Sequence, residues 1–594
     1  MRVLSFKTIC FLLAIISPLS IAAKTSPQPA PCKDASTIYI NATFITLNPN
    51  QQIAKAIAIK KHRIAAIGEQ AKIISQCKGS DTKVTDLKGD VVTPGLINTY
   101  SHLMLYGWLA NHAIDLSTTN TFQRQDWKPI KTTEEMLTAL QAQEKSKKDW
   151  LIAYGYDEGR IQGDLLTQQK LDELGTSIPT MLIYSSGDKA LLNAEGIKKI
   201  AADKSLKNVL VDYDGMISGL ALDNVLKHII TKEQRLEAIK TATALFKQNG
   251  FTTIADVQIP LEWAALYDKV SQSSSLPFDL ILSVDSISDY LKTSKQLHKN
   301  PRIYLAPFLI KLDGQIQNYK AYLTEPYINK NARFTAKWRG ALLQPADTIR
   351  KAFKKSHKQN IPVMIEAHGD AAIDFALELI KTSSLKKGKV PATTLINMEY
   401  IREEQIKELK KQGVHASWFP SYLYYWGESA CQDRLGPERA QKITPLKSAK
   451  IAFNSTPSHI NVPASPPSAV DAMNWMTTRI VQRWNYPPNR TCPQYFNLEE
   501  RISPEQALKS FTIDAAKLYG LEKEKGSLEV GKLADMSIFS ANPLQEKGKP
   551  IYVTGIIVRG KLYPIEKNTV YKNKPITNST RKLPLLVNRL LSKD

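Results

Sequence analysis

Short apolar runs alternate with helical periods through the middle of this chain, and that alternation limits what it can fold into more than any other feature. Residues 180–184, 362–366 and 394–398 are mostly apolar, which suits strands covered on both faces. Residues 231–248 and 345–359 repeat apolar positions at helical spacing. Strand-then-helix units in succession predict a parallel sheet covered by helices. Over residues 91–517 they fit an α/β fold of the (β/α)8 TIM-barrel type better than an open sheet, with chemistry at the carboxyl ends of the strands.

The two ends of the chain read differently. Alternating bursts at 37–40, 56–60 and 63–67 return late, at 531–539 and 552–559. They predict small antiparallel strands and one composite β-sandwich drawn from residues 36–90 and 518–566. Ahead of them, residues 1–23 read as a signal peptide: Arg2 and Lys7 precede an apolar run at 9–21 and small residues. That run is too short to span a bilayer, so the expectation is an exported chain, periplasmic or secreted, with no transmembrane segment. Residues 24–35 form a Pro-rich linker, and 567–594 a Lys-rich tail to which no role is assigned.

The formal charge is +23 over 594 residues, and loss of Arg2 and Lys7 lowers it by two. The lysines are scattered rather than clustered, which reads as a solvated basic surface and not a nucleic-acid interface. Cys32, Cys77, Cys431 and Cys492 remain beyond the leader. In an oxidising compartment they allow two disulfides, and pairing by proximity joins Cys32 to Cys77 and Cys431 to Cys492. None has the close spacing of a zinc site.

The run from Val92 to His102 reads as a strand that ends in Tyr100-Ser-His102. Successive strand side chains alternate, so Tyr100 and His102 share a face. Further along come Ser186-Gly187 with Asn193, Gly219-Leu220, Gly250-Phe-Thr-Thr-Ile254, Leu312-Asp-Gly314, Glu325-Pro-Tyr327, Gly369-Asp370, Tyr425-Trp-Gly427, Leu435-Gly-Pro-Glu-Arg-Ala440 and a closing Gly526-Ser-Leu-Glu-Val-Gly-Lys-Leu-Ala-Asp535. With Thr93-Pro-Gly-Leu-Ile97, this ordered set resembles the amidohydrolase superfamily, in particular the amidohydrolase-3-type branch that includes N-substituted formamide deformylase. The likeness covers nearly all of the chain beyond the leader.

The resemblance implies a barrel that holds one or two divalent metals. Its ligands would be two histidines after strand 1, a lysine before an Asp-Gly pair, single histidines after strands 5 and 6, and an aspartate after strand 8. Such a metal lowers the pKa of bound water to about 7 and polarises a carbonyl. Here most of those positions change. Tyr100 replaces the first histidine and only His102 is kept. The lysine position, four residues before Asp313, is Leu309; Lys311 lies on the same face but about 6–7 Å along the strand. Glu366 replaces the strand-5 histidine, Tyr400 the strand-6 histidine and Thr456 the aspartate, while accessory positions carry Asp188 and Tyr422. Phenols and alcohols must lose a proton to bind metal well.

Two functional expectations follow. In the first, the metal-dependent hydrolysis is lost, no cofactor is held, and a small-molecule pocket survives among Tyr100, Lys311, Asp313, Tyr400, Tyr422 and Thr456, for an amide or peptide-like ligand. In the second, His102, Glu366 and His368 form a rebuilt site for one zinc, with Asp370 or Glu399 as base, and the chain hydrolyses non-peptide carbon-nitrogen bonds. Under the first, Glu366 pairs with Lys311 in a salt bridge, and the turn at Gly369-Asp370 leaves His368 pointing away. His459 reads as a solvated loop histidine, Asp256 and Asp313 as loop-capping acids, and the aromatics at 418–426 as packing.

Overall fold

The structure is a computed structural model that describes residues 32–565, except 144–148, 176, 273–275, 298, 329–333, 385–391, 484–490 and 545–550. Residues 1–31 and 566–594, where the signal peptide, most of the linker and the tail are expected, lie outside the described residues. Two four-stranded sheets carry the site. One orders Ile303–Leu305, Asp279–Val284, Phe251–Ile259 and Leu96–Asn98; the other orders Phe308–Lys311, Val363–Ala367, Thr393–Asn397 and His415–Trp418. Every pairing in both is parallel, so the carboxyl ends within each sheet point one way. Trp418, at the end of the second sheet, makes a parallel bridge to Ser458 in the segment that leads to the first. Beside it, the Asn98 amide donates to the Ile460 carbonyl (3.0 Å) and accepts from the Ile460 N–H (2.8 Å).

Close packing sets where these strands lead. Gly95, just before Leu96–Asn98, has no room for a side chain: a Cβ there would stand 2.1 Å from Thr252 Oγ1. The helix Leu103–His112 follows and lies against the helix Lys232–Gln248, which starts at a capping box of Thr231 and Gln234. At their crossing a Cβ on Gly107 would fall 2.0 Å from the Ala238 carbonyl oxygen.

Residues of the two chain ends share a sheet. Its six strands run Lys561–Pro564, Val553–Val558, Met536–Phe539, Val91–Pro94, Thr43–Asn48 and Gln51–Ala54. A neighbouring sheet of Arg63–Gly68, Ala56–Lys60, Thr37–Ile40 and Lys83–Asp86 contributes to one apolar cluster with it, in which Tyr39, Ile57 and Ile59 meet Val92, Met536 and Ile557. Two pairings here are parallel rather than antiparallel as expected, Thr37–Ile40 with Lys83–Asp86 and Thr43–Asn48 with Val91–Pro94. The helix Gln70–Cys77 supplies the crossover that parallel pairing requires.

A second expectation also changes. Thr180–Tyr184 forms at its expected bounds but belongs to a separate mixed sheet with Leu151–Tyr156, Lys189–Leu192, Met216–Ser218 and Ile114–Asp115. The chain reverses through Ser186-Gly187 and pairs Lys189–Leu192 antiparallel to it, where a strand-then-helix unit was expected. Disulfides join Cys32 to Cys77 and Cys431 to Cys492. Among the described residues no helix is long and apolar enough to cross a membrane.

Candidate functional site

Two buried acids set the backbone from which the site is built. Asp256, in the strand Phe251–Ile259, accepts the N–H groups of Leu103 (3.0 Å) and Met104 (3.3 Å), the start of the helix that His102 precedes, and the Tyr267 hydroxyl (2.6 Å). Asp313 accepts N–H groups from His368 (2.8 Å), Gly369 (3.0 Å) and Tyr322 (2.8 Å). Burial pushes each carboxyl up to about 7. Both bind backbone donors that otherwise lack partners, as loop-capping acids do.

The strand ends then deliver a connected set of buried polar side chains. The Tyr100 hydroxyl donates to Glu366 Oε2 at 2.9 Å and lies 3.3 Å from His102 Nε2. Glu366 Oε1 accepts from His368 Nε2 at 3.0 Å and from the Asn397 amide at 3.3 Å. His368 Nδ1 donates to Glu399 Oε2 at 2.8 Å. Asn397 Oδ1 accepts from His459 Nε2 at 2.9 Å, and Ser417 Oγ stands 3.0 Å from His459 Nδ1. Asn397 and Met398 take φ of 74° and 50°, a left-handed turn uncommon outside glycine that ends the strand beside the site.

Electrostatics follow from this wiring. Burial works to raise the Glu366 carboxyl, but the Lys311 charge and hydrogen bonds from His368 and Tyr100 outweigh it and hold it down at about 2. Burial works to lower His368, yet Glu399 and Glu366 raise it well above the ordinary range. Two carboxylates that accept, one on each ring nitrogen, require an imidazolium. Burial, helped by Lys311, lowers His102 to about 3, and burial lowers His459 to about 3. Burial and the Glu366 charge push the Tyr100 phenol far up.

Several expected positions behave differently. Lys311 sits opposite Glu366 in the strand register, but the expected salt bridge does not form. Glu366 spends both oxygens on Tyr100, His368 and Asn397 instead, and Lys311 makes neither hydrogen bond nor ion pair with any described residue. His368 points inward, because Asp313 gathers the following turn. His459 is fully buried, stacked on Phe419 with ring centroids 5.6 Å apart. Asp370 turns to Arg402 (2.7 Å) and Thr324. Burial, with the Asp370 charge, pushes the Tyr400 phenol up. Tyr422 stacks on Trp426 at 5.7 Å, and its buried hydroxyl and the buried Thr456 Oγ1 have no hydrogen-bond partner among the described residues. Asp188 accepts from the Ser186 hydroxyl (2.5 Å) and the Asn318 amide (2.9 Å).

Asn397 carries much of this network and was not singled out from sequence, while His459, expected as a solvated loop histidine, is enclosed in it. The signal for Asn397 was present: an amide inside an otherwise apolar strand demands buried partners. As arranged, His102, Glu366 and His368 do not fit a bound cation. Both His368 nitrogens are committed to carboxylates, and both Glu366 oxygens already accept. Among the described residues no group of three or more His, Cys, Asp or Glu side chains is placed to hold a metal ion.

A small recess of about 50 Å3 opens beside His102, lined by Asp223, Lys227, Gln258, Trp263 and neighbouring apolar side chains. Gln258 has φ of 59° at a break in the register of its strand, where a bulge re-aims side chains. A larger recess of about 400 Å3 lies at Asn111, Asp115, Arg124 and Trp127 and includes none of the network residues. Size alone would favour it; the strand ends and the charged network favour the smaller.

The chain is 24% identical over 561 residues to protein LONG AFTER FAR-RED 3 of Arabidopsis thaliana, covering 89% of this chain and 92% of that protein. It is 21% identical over 544 residues to the N-substituted formamide deformylase of Arthrobacter pascens, covering 85% and 94%. The crystal structure of an uncharacterized metal-dependent hydrolase from Pyrococcus horikoshii OT3 shares the fold, with a TM-score of 0.65 at 19% identity over 86% of this chain and 98% of that one. The amidohydrolase family model matches residues 83–563, and the chain belongs to that family.

Proposed function

We propose that this amidohydrolase-family chain has lost the metal-dependent hydrolysis of its relatives and keeps a small-molecule pocket at the carboxyl ends of its parallel strands. The observation that carries the reading is the 2.9 Å hydrogen bond between Tyr100 and Glu366. These residues stand at two positions where the family resemblance puts metal-binding histidines, and they bond to each other. A general base typically contributes about 10²–10⁴-fold to rate, and Thr456 at the aspartate position has no acidic proton acceptor to offer. We further propose that the two parallel sheets close as a (β/α)8 barrel within 91–517, that residues 36–90 and 518–566 form a composite β-sandwich, and that residues 1–23 direct export. The two disulfides support an oxidising destination.

The rebuilt single-zinc hydrolase draws on one observation: His102, Glu366 and His368 belong to one hydrogen-bonded set through Tyr100. Zinc there would have to displace the tyrosine hydroxyl and take His368 from a carboxylate. Metal analysis of the purified, tag-free protein, with assays on formamides and acylated amino acids, separates the two. Less than about a tenth of an equivalent of metal and no turnover is the expected result. One equivalent of zinc that disappears in His102→Ala and Glu366→Ala, together with turnover, overturns the proposal.

A further inference from the structure

The larger recess, of about 400 Å3, opens where the helix Leu103–His112 ends and the strand Ile114–Asp115 begins. The whole of that helix separates it from His102, about 15 Å at the helical rise, so it is distinct from the strand-end network. Its rim is tied down by side chains. Asn120 clasps the Arg124 backbone, donating to its carbonyl (2.8 Å) and accepting its N–H (2.8 Å). Gln123 and Asn249 exchange side-chain hydrogen bonds at 3.2 and 2.9 Å.

Three lining side chains are held in place with hydrogen-bonding capacity to spare. Asp115 pairs with Tyr154 in the strand register, and its Oδ1 accepts both the Ser117 N–H (3.1 Å) and the Ser117 hydroxyl. Its Oδ2 is buried with no hydrogen-bond partner among the described residues, and so is Trp127 Nε1. Arg124 gives Nη2 to the carbonyls of Ala110 (2.7 Å) and Ala113 (3.3 Å), and its Nε and Nη1 are bonded to no described residue. One acceptor and several N–H donors thus stand in the wall of one recess. Polar atoms held from water without a partner are costly.

Charge and shape narrow what could answer them. Asp115 and Asp126 balance Arg124 and Lys128 around the recess, so a lone cation or anion would meet like charge as well as opposite. An apolar ligand would leave Asp115 Oδ2 and Trp127 Nε1 unanswered. A hydroxyl donates and accepts at once and carries no charge. Ala113, Ile114 and the body of the Trp127 indole add an apolar stretch of wall, which suits a ring with C–H groups on its face. The volume falls within the range of about 300–1,000 Å3 usual for small-molecule sites.

We propose that this recess binds a neutral sugar, whose hydroxyls donate to Asp115 Oδ2 and accept from Trp127 Nε1 and Arg124.

Saturation-transfer NMR on the full chain tests this with glucose, N-acetylglucosamine, maltose and cellobiose, and with gluconate and glucosamine as charged counterparts of glucose. At least one neutral sugar is expected to bind with a Kd of about 1 mM or tighter, and the charged counterparts to bind more weakly than the neutral sugars. Asp115→Asn removes the acceptor and Trp127→Phe the N–H while keeping a ring. They should weaken binding by about tenfold and about threefold, with melting temperatures showing that each variant folds. If one fails to fold, the other decides. In the unaltered protein, the indole N–H resonance that is missing from Trp127→Phe should shift as the sugar is added. No binding of any neutral sugar, preference for gluconate or glucosamine, or unchanged affinity in the folded variants overturns the proposal. Metal content and turnover test the strand-end pocket alone, and sugar binding tests this recess alone.

Discussion

At the residue scale, the site is held together by buried polar side chains that answer one another. Tyr100, Glu366, His368 and Glu399 satisfy one another through hydrogen bonds. Asp256 makes the energetics of such burial measurable. In the folded chain its carboxyl keeps a proton up to about 7 because it is buried, whereas an unfolded aspartate releases it near 3.9. The folded state binds the extra proton between those values. Its contribution to stability is therefore full below about pH 4 and is lost as pH rises through about 7. Asp256→Asn removes that titration. Denaturant melts between pH 4 and 7 should show the variant losing stability less steeply than the parent, by at most about 1.4 kcal/mol per pH unit. Parallel slopes would count against a protonated Asp256.

At the scale of elements, helix contact decides where His102 stands. The helix Leu103–His112 begins directly after His102 and approaches the helix Lys232–Gln248 at Gly107. Alanine has the higher helix propensity, worth about 1 kcal/mol over glycine, yet a Cβ there would collide with backbone. Gly107→Ala is expected to lower stability by about 1–3 kcal/mol in chemical unfolding, the usual cost of overpacking. A stabilised variant would mean that the helices part freely and that their contact does not position the site. Legibility divides along the same line. The helix after Thr231 and the strand Thr180–Tyr184 were readable because period and capping are local. The sheet to which Thr180–Tyr184 belongs was not, since a hairpin and a helical crossover both leave an apolar run behind them.

At the scale of the whole molecule, one buried ion cluster fastens the sheet of the chain ends to the parallel strands. Lys525 Nζ donates to Asp279 (2.7 Å), Asp535 (2.6 Å) and Thr253 (3.0 Å), and Arg559 adds Nη2 to Asp279 at 2.9 Å. Asp279 starts a parallel strand, and Asp535 precedes Met536–Phe539 of the end sheet. Burial works against the Lys525 charge, but the two acids raise its pKa regardless. Lys525→Met leaves buried carboxylate without its cation, and calorimetric or denaturant unfolding should register a loss of about 3–5 kcal/mol. A change below about 0.5 kcal/mol, the usual range for surface sites, would show that the cluster does not join the two parts.

The disulfide pairing and part of the strand-helix order were legible in the amino-acid sequence, because each rests on spacing along the chain. Tertiary structure alone decided that Glu366 bonds to Tyr100 and His368, and that His459 is enclosed. Those outcomes join residues far apart in the chain: Tyr100 and Glu366 are separated by 266 positions. A long side chain selects among neighbours by geometry and desolvation, and neither exists until the strands are assembled.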